Sequence, residues 1–64
     1  MYHYYVRYSA FKGPNNIGVG WTVVELQEEI NDRSQIENVV KMIEERLKAD
    51  IIIDFYQLLR KDPD

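Results

Sequence analysis

Residues 2–11 read Tyr-His-Tyr-Tyr-Val-Arg-Tyr-Ser-Ala-Phe, and the alternation in that run decides the fold. Tyr2, Tyr4, Val6 and Tyr8 fall at every second position, which is the period of a strand. His3, Tyr5, Arg7, Ser9 and Phe11 form its opposite face. Lys12-Gly13-Pro14-Asn15-Asn16 then supplies positive φ, fixed φ and tolerance of the left-handed region, the chemistry of a turn. Beyond it, Ile17, Val19, Trp21 and Val23 alternate with Gly18, Gly20, Thr22, Val24 and Leu26. Residues 2–11 and 17–26 are therefore expected to form an antiparallel hairpin.

Downstream, Ser34 (or Asp32) is placed to cap a helix, and Ser34 with Glu37 has the capping-box spacing. Ile36, Val39, Val40, Ile43 and Leu47 follow the i, i+3, i+4, i+7 rule and make one apolar stripe. Glu37 with Lys41 and Glu44 with Lys48 are acid-before-base pairs on the outer face. The pattern predicts a helix over about Gln35–Lys48. Ile51-Ile52-Ile53-Asp54-Phe55-Tyr56 is β-branched and aromatic, as strands are. Residues 57–61 either extend it or form a short helical turn around Leu58 and Leu59. Asp62-Pro63-Asp64 is expected to fray.

The order is ββαβ, an α+β fold in which one amphipathic helix packs on one face of a three-stranded sheet. A helical crossover returns the third strand parallel to the preceding strand, or to the first strand if it skips across. The second arrangement, with the first strand central, is preferred because the two glycines of the second strand suit an edge.

The chain has 64 residues and a mass of 7.7 kDa, enough for one domain spanning 1–64. Hydrophobic residues make up 45% and charged residues 30%, which is globular composition. No apolar run approaches the roughly 20 residues of a membrane helix, and the N-terminus lacks the features of a signal peptide. No cysteine is present, so disulfides and thiolate metal sites are excluded, and a reducing cytoplasm is expected. Eight basic and eleven acidic side chains leave a net charge of −3, the wrong sign for neutralising phosphates. Met1 and the acidic end read as the termini of a complete chain.

With one helix, one sheet face stays uncovered. Tyr4, Val6 and Tyr8 with Val19, Trp21 and Val23 are expected beneath the helix. Tyr5, Arg7, Ser9 and Phe11, joined by Val24, Leu26 and one register of Ile52 and Tyr56, are expected on the open face. Apolar patches of this kind mark interfaces, and Tyr and Arg are hot-spot residue types. Tyr5, Arg7, Phe11 and Tyr56 are therefore the candidate contact residues, with Glu25, Glu28 and Glu29 at an acidic rim. The occupant is a second copy in a homodimer, another protein, or the chain's own Leu58-Leu59. An aromatic face also allows base stacking, so a nucleic-acid or nucleotide-binding module is the alternative, as is a purely structural dimer.

Reaction chemistry is sparse. His3 is the one histidine and has no nearby ligand set. Asp54 sits between apolar neighbours and is expected to face solvent or to pair with Arg7 or Lys12. Gly18-Val19-Gly20 lacks the third glycine and the strand-to-helix setting of a dinucleotide site; relief for Phe11 or Tyr8 across the strands explains it better. Glu25, Glu28, Glu29 and Asp32 lack Ca²⁺-loop spacing. No residue is assigned to catalysis, a cofactor or a metal, and a non-enzymatic protein is expected.

Tyr4-Tyr5-Val6-x-Tyr8-Ser9, Gly18-Val19-Gly20-Trp21, Ile36-Glu37 in the helix and Ile52-Ile53-Asp54-Phe55-x-x-Leu58 together resemble a set of small phage and prophage proteins of ββαβ plan. The resemblance spans nearly the whole chain and carries no catalytic residue. It implies an accessory protein in a bacterial cytoplasm that binds and inhibits a host protein, such as an antiviral defence component.

Overall fold

Three strands of 11, 12 and 12 residues and one helix of 15 account for most of the chain in a computed structural model, which describes residues 1–63. The elements are β1 (Tyr2–Lys12), β2 (Asn15–Leu26), α1 (Arg33–Leu47) and β3 (Asp50–Lys61). Only Asp64, the last residue of the expected frayed end, lies outside the described residues. The sheet order is β2-β1-β3, so β1 is central as expected.

β1 pairs antiparallel with both neighbours. This corrects the expectation that β3 would run parallel to β1. The helix carries the chain back along the sheet once, so β3 points the same way as β2 and opposes β1 between them.

The helix starts two residues before the expected Gln35. Asp32, not Ser34, is its N-cap, and Gln35 completes the capping box in place of Glu37. Asp32 Oδ1 accepts from the Gln35 N–H at 3.2 Å and from the Ser34 hydroxyl at 2.7 Å. Gln35 Oε1 in turn accepts from the Asn31 and Asp32 N–H groups. These bonds hold the Asp32 carboxyl below its ordinary pKa, the Ser34 hydroxyl contributing most. The outer-face ion pair is Arg33–Glu37 at 3.6 Å. Glu44 is drawn elsewhere: its carboxylate accepts from the Ile51 N–H at 3.2 Å and ties the helix end to β3.

The core is small. Tyr4, Val6, Ala10, Val24, Val39, Ile43 and Ile51 are buried, with Tyr2, Tyr8, Leu26, Ile30, Val40 and Ile53 packed around them. The β1 members are the even-numbered face read from the sequence. The Tyr4 hydroxyl accepts from the Ile30 N–H at 2.9 Å and anchors the loop that leads into the helix.

β2 presents the opposite face from the one expected. Tyr4 lies across from Val24, Val6 from Thr22 and Tyr8 from Gly20, so those residues face the helix. Val24 is buried, whereas Val19, Trp21 and Val23 lie on the open side. The cause is a bulge. Gly13-Pro14 makes a two-residue turn, and Lys12 pairs with Asn15 and Phe11 with Asn16. The next pair is Ala10 with Gly18, so Ile17 is extra. One inserted residue flips every later side chain of the strand. Asn16 Oδ1 accepts from the Gly18 N–H at 2.8 Å across the bulge, and Gly18 has φ +145°, a backbone open to glycine.

β3 is one strand through Lys61, with no helical turn at Leu58-Leu59. Its register shifts twice, leaving Asp54 and Leu59 as the extra residues. The first shift separates Ile52 from Tyr56. Ile52 pairs with Ser9 on the open face, while Tyr56 pairs with Val6 on the helix side. Residue 62 is held rather than frayed: its N–H donates to the Met1 carbonyl at 2.8 Å.

Candidate functional site

The open face is built around Tyr5. Its ring lies 5.8 Å from that of Trp21 on β2 and 6.4 Å from that of Phe55 on β3, centroid to centroid. All three strands thus contribute one ring to a continuous cluster, with geometry favourable for aromatic contact. Trp21 is 65% exposed and Phe55 50% exposed. Val19, Val23 and Ile52 extend the apolar surface and are also exposed.

Arg7 lies directly between Trp21 and Phe55 in the register of the three strands. It is exposed and belongs to none of the ion pairs among the described residues. Towards the turn end of the same face, Asp54 accepts from the Ser9 hydroxyl at 2.6 Å. Of the two expectations for it, Asp54 meets the first: it is exposed to solvent, and it pairs with neither Arg7 nor Lys12.

At the other end, His3 bridges the two outer strands. Its Nε2 lies 2.7 Å from Asp62 and its Nδ1 lies 3.6 Å from Glu25. The hydrogen bond from His3 holds the Asp62 carboxyl below its ordinary pKa, with the charges of Arg60, His3 and the N-terminus adding to it. His3 is therefore a tie across the sheet edge.

Of the expected contact residues, Tyr5, Arg7 and Phe11 share the open face, and Glu25 lies at its edge beside His3. Tyr56 lies on the other side of the sheet, its ring edge-on to Tyr4 at 6.1 Å. Glu28 reaches toward the helix start, where Gln35 Nε2 donates to it at 3.4 Å, and Glu29 is an exposed loop residue. Trp21 and Phe55 were missed as contact residues. Apolar alternation with Val19 and Val23 places Trp21 on the covered side, whereas the strand register sets it beside Arg7 on the open face. Phe55 was missed because Asp54 was counted as an ordinary strand position.

The grooves elsewhere are shallow. One of about 480 Å³ is open to solvent between Lys12, Lys48 and Asp50 at the turn end. Among the described residues no cluster of His, Asp or Glu is arranged to hold a metal, and no helix is long and apolar enough to cross a membrane.

No known protein family, curated protein or solved structure matches the chain.

Proposed function

We propose that this protein is a non-enzymatic module that works by protein–protein contact through its open sheet face. The observation that carries the reading is Trp21, 65% exposed and in contact with Tyr5 at the centre of an uncovered aromatic face. Burying such a side chain contributes about 1.5–3 kcal/mol or more, and Trp, Tyr and Arg together are the composition of an interface hot spot. The charge on the face favours protein over nucleic acid: Arg7 is its central cation, while Asp54 and Glu25 stand on the same face and the chain carries −3 overall. The resemblance to small phage proteins favours a bacterial host protein, such as a defence component, as the target of inhibition, and the host cytoplasm as the place of action.

The test is retention of bacterial proteins by the immobilised chain, run beside Trp21→Asp and a Tyr5→Ala/Arg7→Ala double variant. A protein held by the wild type and lost from both variants supports the reading. Equal retention by all three sinks it. So does salt-sensitive capture of single-stranded oligonucleotide that depends on Arg7, because electrostatic phosphate binding has that signature.

A further inference from the structure

We propose that the occupant of the open face is a second copy of this chain, packed sheet against sheet about a two-fold axis. This rests on the reading of that face as a protein-binding surface and names its partner. Three observations converge on it.

The first is area. The chain exposes 4789 Å², whereas a folded monomer of its mass is expected to expose about 4,300 Å². The excess matches an uncovered sheet layer. Three strands spaced about 4.8 Å apart and some ten residues long present roughly 500 Å² each. Two such faces together bury about 1,000 Å², the lower bound for a specific interface.

The second is charge. Arg7 and Asp54 stand on the same face, and neither has an ion-pair partner among the described residues. A two-fold axis passing between them sets Arg7 of one copy against Asp54 of the other, and does so twice. Glu25 and Arg60, at the far end of the face, are already engaged with His3 and Asp62, so Arg7 and Asp54 are the opposite charges left on either side of such an axis, and that part of the face is complementary to itself.

The third is the shape of the fold. Seven residues are buried, three from the even face of β1, one each from β2 (Val24) and β3 (Ile51), and two from one side of a single helix, a thin core for a 64-residue chain. A second sheet about 10 Å away gives Tyr5, Trp21 and Phe55 a closed core of their own. The acidic loop at Glu28 and Glu29 and the outer face of the helix then remain on the outside of the dimer.

Trp21 is the only tryptophan, so its emission reports on this face alone. The experiment follows mass by light scattering and Trp21 emission and acrylamide quenching over a dilution series of the full chain. The same series is run on Arg7→Asp, Asp54→Arg and the doubly reversed variant, with circular dichroism confirming the fold of each. The expected result is a mass near twice that of one chain, with Trp21 emission shifting red as dilution dissociates it. Each single reversal weakens the dimer about tenfold or more and the double reversal restores most of the loss, because like charges face each other only in the singles. A monomer at all concentrations with Trp21 open to quencher overturns the second copy and leaves the face free for another protein. A dimer whose Trp21 emission and charge variants are unchanged also overturns it, since self-association then uses another surface. A monomer with Trp21 shielded from quencher overturns both this proposal and the protein-binding reading, because the chain then covers its own face.

Discussion

The ring of Tyr8 occupies the space where a side chain on Gly20 would begin: a Cβ there would lie 2.7 Å from the Tyr8 hydroxyl oxygen and 2.9 Å from Cζ. Tyr8 is half-buried against the core, so admitting the methyl requires the end of its ring to shift. Gly20→Ala is therefore expected to destabilise the fold by about 1–3 kcal/mol, the usual cost of overpacking. Urea unfolding of Gly20→Ala, Tyr8→Ala and the double variant checks it. The double should cost less than the sum of the singles, and strict additivity would show that the two residues do not compete for the space.

Gly18 is needed for a different reason. Nothing lies within 4 Å of a Cβ built there, but its φ is +145°. Gly18→Ala should cost about 1–3 kcal/mol from backbone strain alone. No substitution of a neighbouring side chain should rescue it, in contrast to Gly20→Ala.

The Tyr4 hydroxyl is the acceptor for the half-buried Ile30 N–H. Tyr4→Phe keeps the ring and leaves that donor unmatched, at a cost of about 1–3 kcal/mol. Hydrogen exchange at Ile30 should quicken more than exchange in β1. Uniform quickening across the sheet would mean the bond anchors the whole fold rather than the loop.

Val6 and Val39 are fully buried, one from the sheet and one from the helix, whereas Val23 lies on the open face. Truncating either buried valine to alanine should cost about 1–3 kcal/mol, for lost transfer energy and the cavity left. A domain of this size has roughly 3–10 kcal/mol to lose. Val23→Ala should change the stability of the dissociated chain far less. Equal losses at Val23 and Val39 in dilute solution would mean that the open face is already covered within one chain.

The Asp62 carboxyl is held below its ordinary pKa of 3.8, chiefly by the hydrogen bond from His3. A carboxyl whose pKa is depressed in the folded state stabilises that state above its unfolded value. The contribution is lost as pH falls through the lower, folded value. Asp32 behaves alike at the helix start. Thermal midpoints should hold steady from neutral pH to about 5 and then fall on further acidification. Asp62→Asn should lower the midpoint at neutral pH and flatten the acid limb; an unchanged acid limb would remove Asp62 as its source.

The two-sided character of β2 marks the limit of what could be read from the chain. Val19, Trp21 and Val23 on one side and Val24 and Leu26 on the other give it no decisive polarity. Apolar character alone turns Val19, Trp21 and Val23 inward, although a hairpin of residues 2–11 and 17–26 already sets Tyr8 against Gly20, as observed. Pairing continued regularly from Lys12–Asn15 would set Val23, Trp21 and Val19 against Tyr4, Val6 and Tyr8. The bulge at Ile17 moves each partner by one residue and turns Trp21 outward. The same event at Asp54 turns Phe55 outward and Tyr56 inward. The candidate site was legible on β1, where the alternation is unbroken, and illegible on both neighbours.

Local periodicity is enough to specify a central aromatic strand with Tyr4 and Val6 on one face and Tyr5 and Arg7 on the other, a turn within Lys12–Asn16, and a helix whose buried stripe holds Val39 and Ile43. Registers between strands set the rest: the tightening of that turn to Gly13-Pro14, the antiparallel direction of β3, and the gathering of Tyr5, Trp21 and Phe55 on the open face. The physical reason is that a strand's side chains repeat every two residues. A single extra residue, accommodated in a bulge at small local cost, exchanges the two faces of everything that follows.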